Sequence, residues 1–373
     1  MSDITLILLA AGSSSRFGLP VKKQWLRIEH TPLWQFVADQ FSATALFSNI
    51  IITSHKEEIS FMEAFCDYNI VEGGETRQAS LENALKNVTT EYVLVSDIAR
   101  ACIDRELITQ LIAHKSLADV IVPTLPLHDT IVYNATTIER EHVKRIQTPQ
   151  LSKTAVLKEA LKTDELFSDE SSAIVANGGT RYFIDGSEDA HKITYIHDLS
   201  KLPCIKAPSQ ATLVGNGFDV HAFEDKREMF LGGVKIDVDY GFKAHSDGDV
   251  AIHALIDALL GAAGFGDIGM LFPDNDKTYK NIDSKELLKL TVLRLHKFGL
   301  IVLNADITIA AEAPRLSAYK LAMRSTLATL LHIPTSRMNV KATTTEKLGF
   351  IGRKEGVGVM ASATLNYYDW TQK

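Results

Sequence analysis

Two α/β domains in series are what this 373-residue sequence predicts. Three observations carry the prediction. Short β-branched runs alternate with amphipathic helical patterns through the first 200 residues. A proline-bearing stretch without periodicity follows at 202–212, and a new strand–helix pattern starts after it. The length agrees, since about 100–200 residues per domain suggests two or three domains.

In order, the runs at 4–9, 49–53, 92–96 and 119–123 read as buried strands. Segments 34–41, 77–87 and 104–114 carry apolar residues at three-to-four spacing, as helices do. Such alternation builds a mostly parallel sheet with helices on both faces, and its ligands sit beyond the carboxyl ends of the strands. Residues 129–138 read as a projecting hairpin or arm. After the linker, 214–223, 301–311, 338–343 and 356–367 read as strands, and 249–263, 284–298 and 316–331 as helices. The expected domains are 1–201 and 213–373.

A composition of 46% hydrophobic and 23% charged residues is that of an ordinary globular chain. A formal charge of -7 argues against non-specific nucleic-acid binding, though not against a local basic phosphate pocket. The apolar run at 4–11 ends in small residues like a signal sequence. Asp3 stands where a basic region would precede it, and the run is far short of the roughly 20 residues a membrane span needs, so no membrane role is expected. Cys66, Cys102 and Cys204 are scattered and odd in number. They predict neither a disulfide framework nor a zinc knuckle, and hence a reducing cytoplasm.

The segment from Leu6 to Gly18 (LILLAAGSSSRFG) is a buried strand entering a loop of small residues with one arginine. It is neither a Walker A loop nor a dinucleotide fingerprint. Small residues such as Ala10, Ala11 and Gly12 let backbone N–H groups approach phosphate oxygens, and Arg16 adds charge-assisted bonds. Lys22 and Lys23 follow closely enough for a triphosphate. The run Gly73-Gly74-Glu75-Thr76-Arg77-Gln78-Ala79-Ser80 opens a helix, where Gly74, Arg77 and Ser80 could read a base or sugar. Asp97, at the carboxyl end of a strand, suits a magnesium ion shared with phosphates, and Arg100 follows it. Singly, each feature also reads as a plain turn, a surface charge or a helix cap.

Together they resemble the 2-C-methyl-D-erythritol 4-phosphate cytidylyltransferase family over about residues 4–200. Asp129-Thr130, Arg140 eight residues before Thr148-Pro149-Gln150, Ser168-Asp169-Glu170 and Lys192 extend the likeness. The resemblance implies a Rossmann-like nucleotidyltransferase domain using CTP and Mg2+. Arg16 and Lys23 would stabilise the pentavalent α-phosphate, Arg140 and Lys192 would position methylerythritol phosphate, and Thr130 and Thr148 would contact substrate. Ser96-Asp97-Ile98-Ala99-Arg100-Ala101 departs from the family's His-Asp-Ala-Ala-Arg-Pro. The choice between Lys22 and Lys23 stays open, with Gln24 favouring Lys23.

In the second half, Asp219 and His221 lie two apart on a strand, so both leave one face. His253 follows on a helix with Asp249 and Asp257 at four-residue spacing. An Asp and two His suit zinc and leave a fourth position for substrate, with Asp257 a candidate supporting partner. A lone helical histidine is more often a packing residue; the strand pair makes the difference. Gly266-Asp267-Ile268-Gly269 and Phe272-Pro273-Asp274-Asn275-Asp276 could grip ribose hydroxyls, and Ala311-Glu-Ala-Pro314-Arg315 could read a cytosine edge. Thr343-Thr344-Thr345-Glu346 supplies phosphate donors and a magnesium ligand.

These motifs resemble 2-C-methyl-D-erythritol 2,4-cyclodiphosphate synthase over about residues 213–370. The resemblance implies an α+β sandwich that forms trimers, with active sites between subunits and Zn2+ and Mg2+ on the phosphates. His245 and Thr344 would stabilise the transition state. Ser246 would hold phosphate, and Val220 would join Asp219 and His221 at the substrate. Ile268, Gly269, Phe272 and Pro314 would line the nucleotide site, and Phe350 and Arg353 a central cavity. A hexamer and an association with the pathway kinase are left open by the residues. The fused activities are not consecutive, and no kinase signature appears in the chain. Two other readings fit parts of the pattern. One is a sugar-nucleotide pyrophosphorylase joined to a zinc hydrolase; the other is a silent nucleotide-binding scaffold beside an active synthase.

Overall fold

The computed structural model describes residues 3–244, 246–273 and 282–372, and the chain divides into two compact units, Met1–Ala207 with Trp370–Lys373 and Pro208–Asp369. In the first unit an eight-stranded sheet runs in the order Lys144–Ile146, Val120–Pro126, Gln150–Lys153, Tyr92–Asp97, Ile4–Leu9, Asn49–Ser54, Asn69–Glu72, with Arg181–Asp185 also pairing to Val120–Pro126. Ile4–Leu9 lies between two parallel neighbours and all six of its residues are buried, which is why it reads as an unbroken apolar run. The mostly parallel sheet matches the expectation, but Gln150–Lys153 runs antiparallel between two of its strands.

The helices begin where side chains can satisfy free N–H groups. Thr76 accepts from the Ala79 amide ahead of Arg77–Leu85, and Asp104 from the Leu107 amide ahead of Arg105–Ala113. Residues 129–138 form the hairpin Ile131–Tyr133/Thr136–Ile138. The cysteines are a correction: Cys102 and Cys204 are disulfide-bonded with Cα atoms 5.6 Å apart. A pairing across 102 positions leaves no spacing signal in the sequence. Cys66 is free.

The second unit is built on a five-stranded sheet in the order Tyr240–Phe242, Leu213–Asp225, Gly356–Tyr367, Leu300–Ala310, Met338–Thr343. The helix Val250–Ala263 packs on Leu213–Asp225 and Gly356–Tyr367. It can lie that close because Gly215 and Gly217 carry no side chain; a Cβ on Gly217 would fall 2.0 Å from the Ala254 carbonyl oxygen. Asp249 caps this helix through the Ile252 amide, and Gly264 ends it at φ 71°. Residues of Leu213–Asp225 alternate between this packed face and an exposed one that shows Val214, Phe218 and Val220. Among the described residues, no helix is long and apolar enough to cross a membrane.

Candidate active sites

In the first unit a cavity of about 820 Å³ opens at the carboxyl ends of the central strands. Ala10, Ala11, Gly12, Arg16, Lys23, Gly74, Arg77, Ser80, Asp97 and Lys192 line it, so ten sequence-predicted residues meet in one place. The loop between Gly12 and Lys23 is tied by its own side chains. Ser14, at φ 58°, accepts from the Lys23 amide (3.0 Å), and its hydroxyl donates to Gln24 Oε1 (3.2 Å). Gln24 Nε2 donates to the Gly12 carbonyl (3.3 Å) and to Glu58 Oε2 (3.3 Å). Glu58, almost wholly buried, also accepts from Trp25 Nε1 (2.8 Å) and pairs with Lys22. Lys22 is therefore held by a carboxylate. Lys23 instead donates to the Ile193 carbonyl (2.6 Å) at the cavity wall. Burial, reinforced by neighbouring Lys192, lowers the Lys23 ammonium to about 8.

Asp97 anchors the floor. Lys192 Nζ lies 2.7 Å from its Oδ2 and Arg77 Nε 3.3 Å from its Oδ1, while Arg77 Nη1 also reaches the buried Glu170 (2.7 Å). Burial opposes ionisation of Asp97, but Arg77 and Lys192 overcome it and hold the carboxyl below the usual range. Six cationic side chains line the cavity, Arg16, Lys22, Lys23, Lys56, Arg77 and Lys192, and two of them, Arg77 and Lys192, pair with the deep carboxylate of Asp97.

Four predicted residues are elsewhere. Arg100 and Thr148 lie behind the wall, where Arg100 Nε donates to Thr148 Oγ1 (2.9 Å) and Thr148 Oγ1 stands 3.5 Å from Asp97 Oδ2. Arg100 is 9% exposed, so it braces Asp97 from within rather than facing a ligand. Thr130 and Arg140 are exposed and outside the cavity lining; Arg140 Nη1 donates to the His128 carbonyl (2.6 Å). Glu58 and the role of Glu170 escaped the sequence reading. Glu58 sits in a polar Lys-Glu-Glu run whose only sequence-level reading is a solvated helix.

In the second unit the pleat places Asp219 and His221 on the packed face, opposite His253 on Val250–Ala263. One ligand atom from each lies within 4.8 Å of the others. Asp219 Oδ2 is 3.3 Å from both His221 Nε2 and His253 Nδ1. Burial opposes its charge, but the bonds from the two histidines hold the Asp219 carboxyl below its usual range. Two side-chain oxygens or nitrogens on a rigid strand and one on a rigid helix make a preformed donor set for a divalent ion. Asp257 does not support it: its Oδ1 accepts from the Ile268 amide (2.8 Å) and fastens the 267–269 turn. Val220 faces the opposite, exposed side of the strand.

Around this centre, the Ser246 hydroxyl accepts from the Gly248 amide (3.1 Å), and Asp267 caps a short helix through the Met270 amide (2.9 Å), with Gly269 exposed and Phe272 buried. His245, Asp274 and Asp276 lie outside the described residues. The threonine loop is a separate construction. Glu312 accepts from the amides of Thr345 (3.1 Å) and Lys347 (3.0 Å), and Ala311 N donates to the Thr343 carbonyl (2.9 Å), joining the 311–315 and 343–347 turns. Thr344 Oγ1 donates to Glu346 Oε1 (3.0 Å), with Glu346 at φ 51°. Pro314 follows a cis bond and Arg315 is exposed. Arg353 makes a bidentate pair with Glu355 beside half-exposed Phe350. Register sets the distance between the two constructions. The row Asp219, Val359, Ile309, Ala342 crosses four strands, so Thr343 stands about 14 Å from the metal ligands at the usual strand spacing.

A cation-lined cavity at a strand-end loop and a carboxylate–imidazole cluster able to hold a divalent ion fit a two-domain enzyme of phosphoryl chemistry. Residues 4–205 match the family model described as 2-C-methyl-D-erythritol 4-phosphate cytidylyltransferase, and residues 212–366 match the YgbB family. The chain belongs to the bifunctional IspD/IspF family. It is 64% identical over all of its length to the bifunctional enzyme IspD/IspF of Sulfurimonas denitrificans, covering 96% of that protein. It is 57% identical to the Sulfurovum sp. counterpart, with both chains covered in full. The solved structure of the bifunctional IspDF from Campylobacter jejuni superposes with a TM-score of 0.93 at 47% identity, again over both complete chains.

Proposed function

We propose that each half acts through the groups just described. The protein is a cytidylyltransferase and a cyclodiphosphate synthase of the methylerythritol phosphate route to isoprenoids. In the first reaction an oxygen of 2-C-methyl-D-erythritol 4-phosphate bonds to the α-phosphorus of CTP. The bond from that phosphorus to the bridging oxygen breaks, and pyrophosphate leaves. Arg16 and Lys23 offset the charge that grows on the pentavalent phosphorus, Lys192 turns from Asp97 to the incoming phosphate, and Asp97 would hold a magnesium ion bound to CTP, which would supply further positive charge. The meeting of Arg16, Lys23, Arg77 and Lys192 with Asp97 in one cavity carries this reading.

In the second reaction the 2-phosphate of the diphosphocytidyl intermediate attacks the β-phosphorus and expels CMP. Asp219, His221 and His253 would hold zinc, and Glu346 magnesium; a bound ion there supplies positive charge to the phosphates. Divalent-metal dependence is general to the two families; the choice of zinc and magnesium is the proposal. Ser246 and His245 serve the phosphate beside the metal, and Thr344 the nucleotide phosphates.

Thr343 lies about three strand spacings from Asp219, too far for both to grip one diphosphate. Our reading is therefore that the threonine loop of one copy completes the metal centre of another, in a trimer associating through the exposed sheet face. Thr130 and Arg140, exposed on either side of the hairpin and outside their cavity, likewise need a second copy to reach substrate, which makes a hexamer the fitting assembly. A cytoplasmic location is part of the proposal; the Cys102–Cys204 bond is the observation that weighs against it.

Incubation with 2-C-methyl-D-erythritol 4-phosphate, CTP and magnesium, followed by phosphorus NMR, tests the first half. A new diphosphate linkage with equimolar pyrophosphate, abolished in Arg16→Ala, is expected. Unchanged CTP beside continued CMP release from the phosphorylated intermediate would make the first half a scaffold.

A further inference from the structure

A histidine binds a metal through one ring nitrogen only, and the other must then carry the proton. In the second unit the two histidines use opposite nitrogens. His221 turns Nε2 toward Asp219, and its Nδ1 lies 3.0 Å from the Gly248 carbonyl oxygen. A carbonyl only accepts, so Nδ1 carries a proton, and Nε2 is the nitrogen that would give its lone pair to an ion bound beside Asp219.

His253 turns Nδ1 toward Asp219, and its Nε2 lies 3.0 Å from Ser284 Oγ. A hydroxyl can donate or accept, so serine alone would leave the tautomer undecided. The Ser284 hydroxyl, however, stands 2.5 Å from Asp247 Oδ1, and the same carboxylate accepts from the Ser284 amide at 3.1 Å. With its proton committed to Asp247, Ser284 can only accept from His253. Helix capping does not explain this arrangement. Asp283 already caps Ser284–Lys297 through the Lys285 amide, yet Ser284 is fully buried with its hydroxyl turned to His253.

We propose that Asp247 and Ser284 are a positioning pair that fixes His253 as its Nε2-protonated tautomer and thereby sets the metal affinity of the Asp219–His221–His253 centre. The proposal rests on the metal reading of that centre. The pair touches neither the ion position nor, in this reading, the substrate. Its loss leaves the three ligands in place with one ring free to rotate or exchange its proton.

The test uses the full chain. Zinc affinity is measured by competition with a chromogenic chelator for wild type, Ser284→Ala, Ser284→Thr and Asp247→Asn. Ser284→Ala is expected to bind about 10- to 100-fold more weakly, as for other lost partners of metal-bound histidines. Ser284→Thr, which keeps the hydroxyl, recovers most of the affinity, and Asp247→Asn falls between. Wild-type affinity in a folded Ser284→Ala overturns the proposal. A wild type that binds no zinc overturns the metal reading instead. Should Ser284→Ala not fold, nitrogen-15 histidine spectra of the metal-free wild type decide alone. A proton on His253 Nε2, assigned by its absence in His253→Asn, is expected, and an Nε2 without a proton would refute the pair.

Discussion

Lys22 and Lys23 are neighbours in sequence with opposite surroundings. Lys22 is neutralised by Glu58, whereas Lys23 is held among cations with its ammonium lowered to about 8. The rate constant kcat/KM for CTP reports the free enzyme, so a reaction needing cationic Lys23 should lose rate as pH rises through about 8. Lys23→Arg should move that limb upward; an unmoved limb would place the titration elsewhere. The same shift has a sign for stability. The unfolded lysine binds its proton up to about 10.4, so between about 8 and 10.4 the unfolded chain holds more protons, and this residue's contribution to stability rises with pH. Arg16 and Lys23 and the Asp-x-His pair were legible because each lies in a local motif, and Lys192 only through the family resemblance. Glu58 and Ser284 were not. Their partners lie 31 to 37 positions away, and only the folded chain brings them together.

Among elements, the long apolar strands and capped helices could be read directly, and their bounds differ from expectation by a few residues at most. Short pieces could not. Gln150–Lys153 has a single apolar residue, and Asn69–Glu72 pairs along one edge only; both owe their form to neighbours already in the sheet. Leu213–Asp225 packs closely on Val250–Ala263. Gly217→Ala would drive a methyl group into the Ala254 carbonyl oxygen and the Ala258 amide. We expect a loss of about 1–3 kcal/mol or more in urea unfolding of the second unit, with zinc affinity falling as strand and helix separate. An unchanged midpoint would show that the helix can shift at little cost.

For the molecule as a whole, the exposed sheet face of the second unit is the feature a single copy leaves unexplained. Phe218 and Met360 sit directly across from each other, 63% and 62% exposed, with Val214 also bare on that face. Sedimentation should find an assembly built on trimers, and Phe218→Glu should dissociate it and abolish cyclisation. Asp219 and His221 face the other way, so zinc binding by the separated chains should persist. A trimer that survives Phe218→Glu would place the interface on another surface. Assembly was read from family resemblance, and the separation between Asp219 and Thr343 supplies its physical reason.

Leu213–Asp225 writes two messages on alternate residues: Asp219 and His221 on one side, the bare apolar side chains on the other. Heredity can edit either message by substitution. Inserting or deleting a single codon between Val214 and His221 would exchange the two sides and erase both at once. Length in this stretch is therefore frozen in steps of one, and descendants of this gene can drift in letters there far more freely than in count.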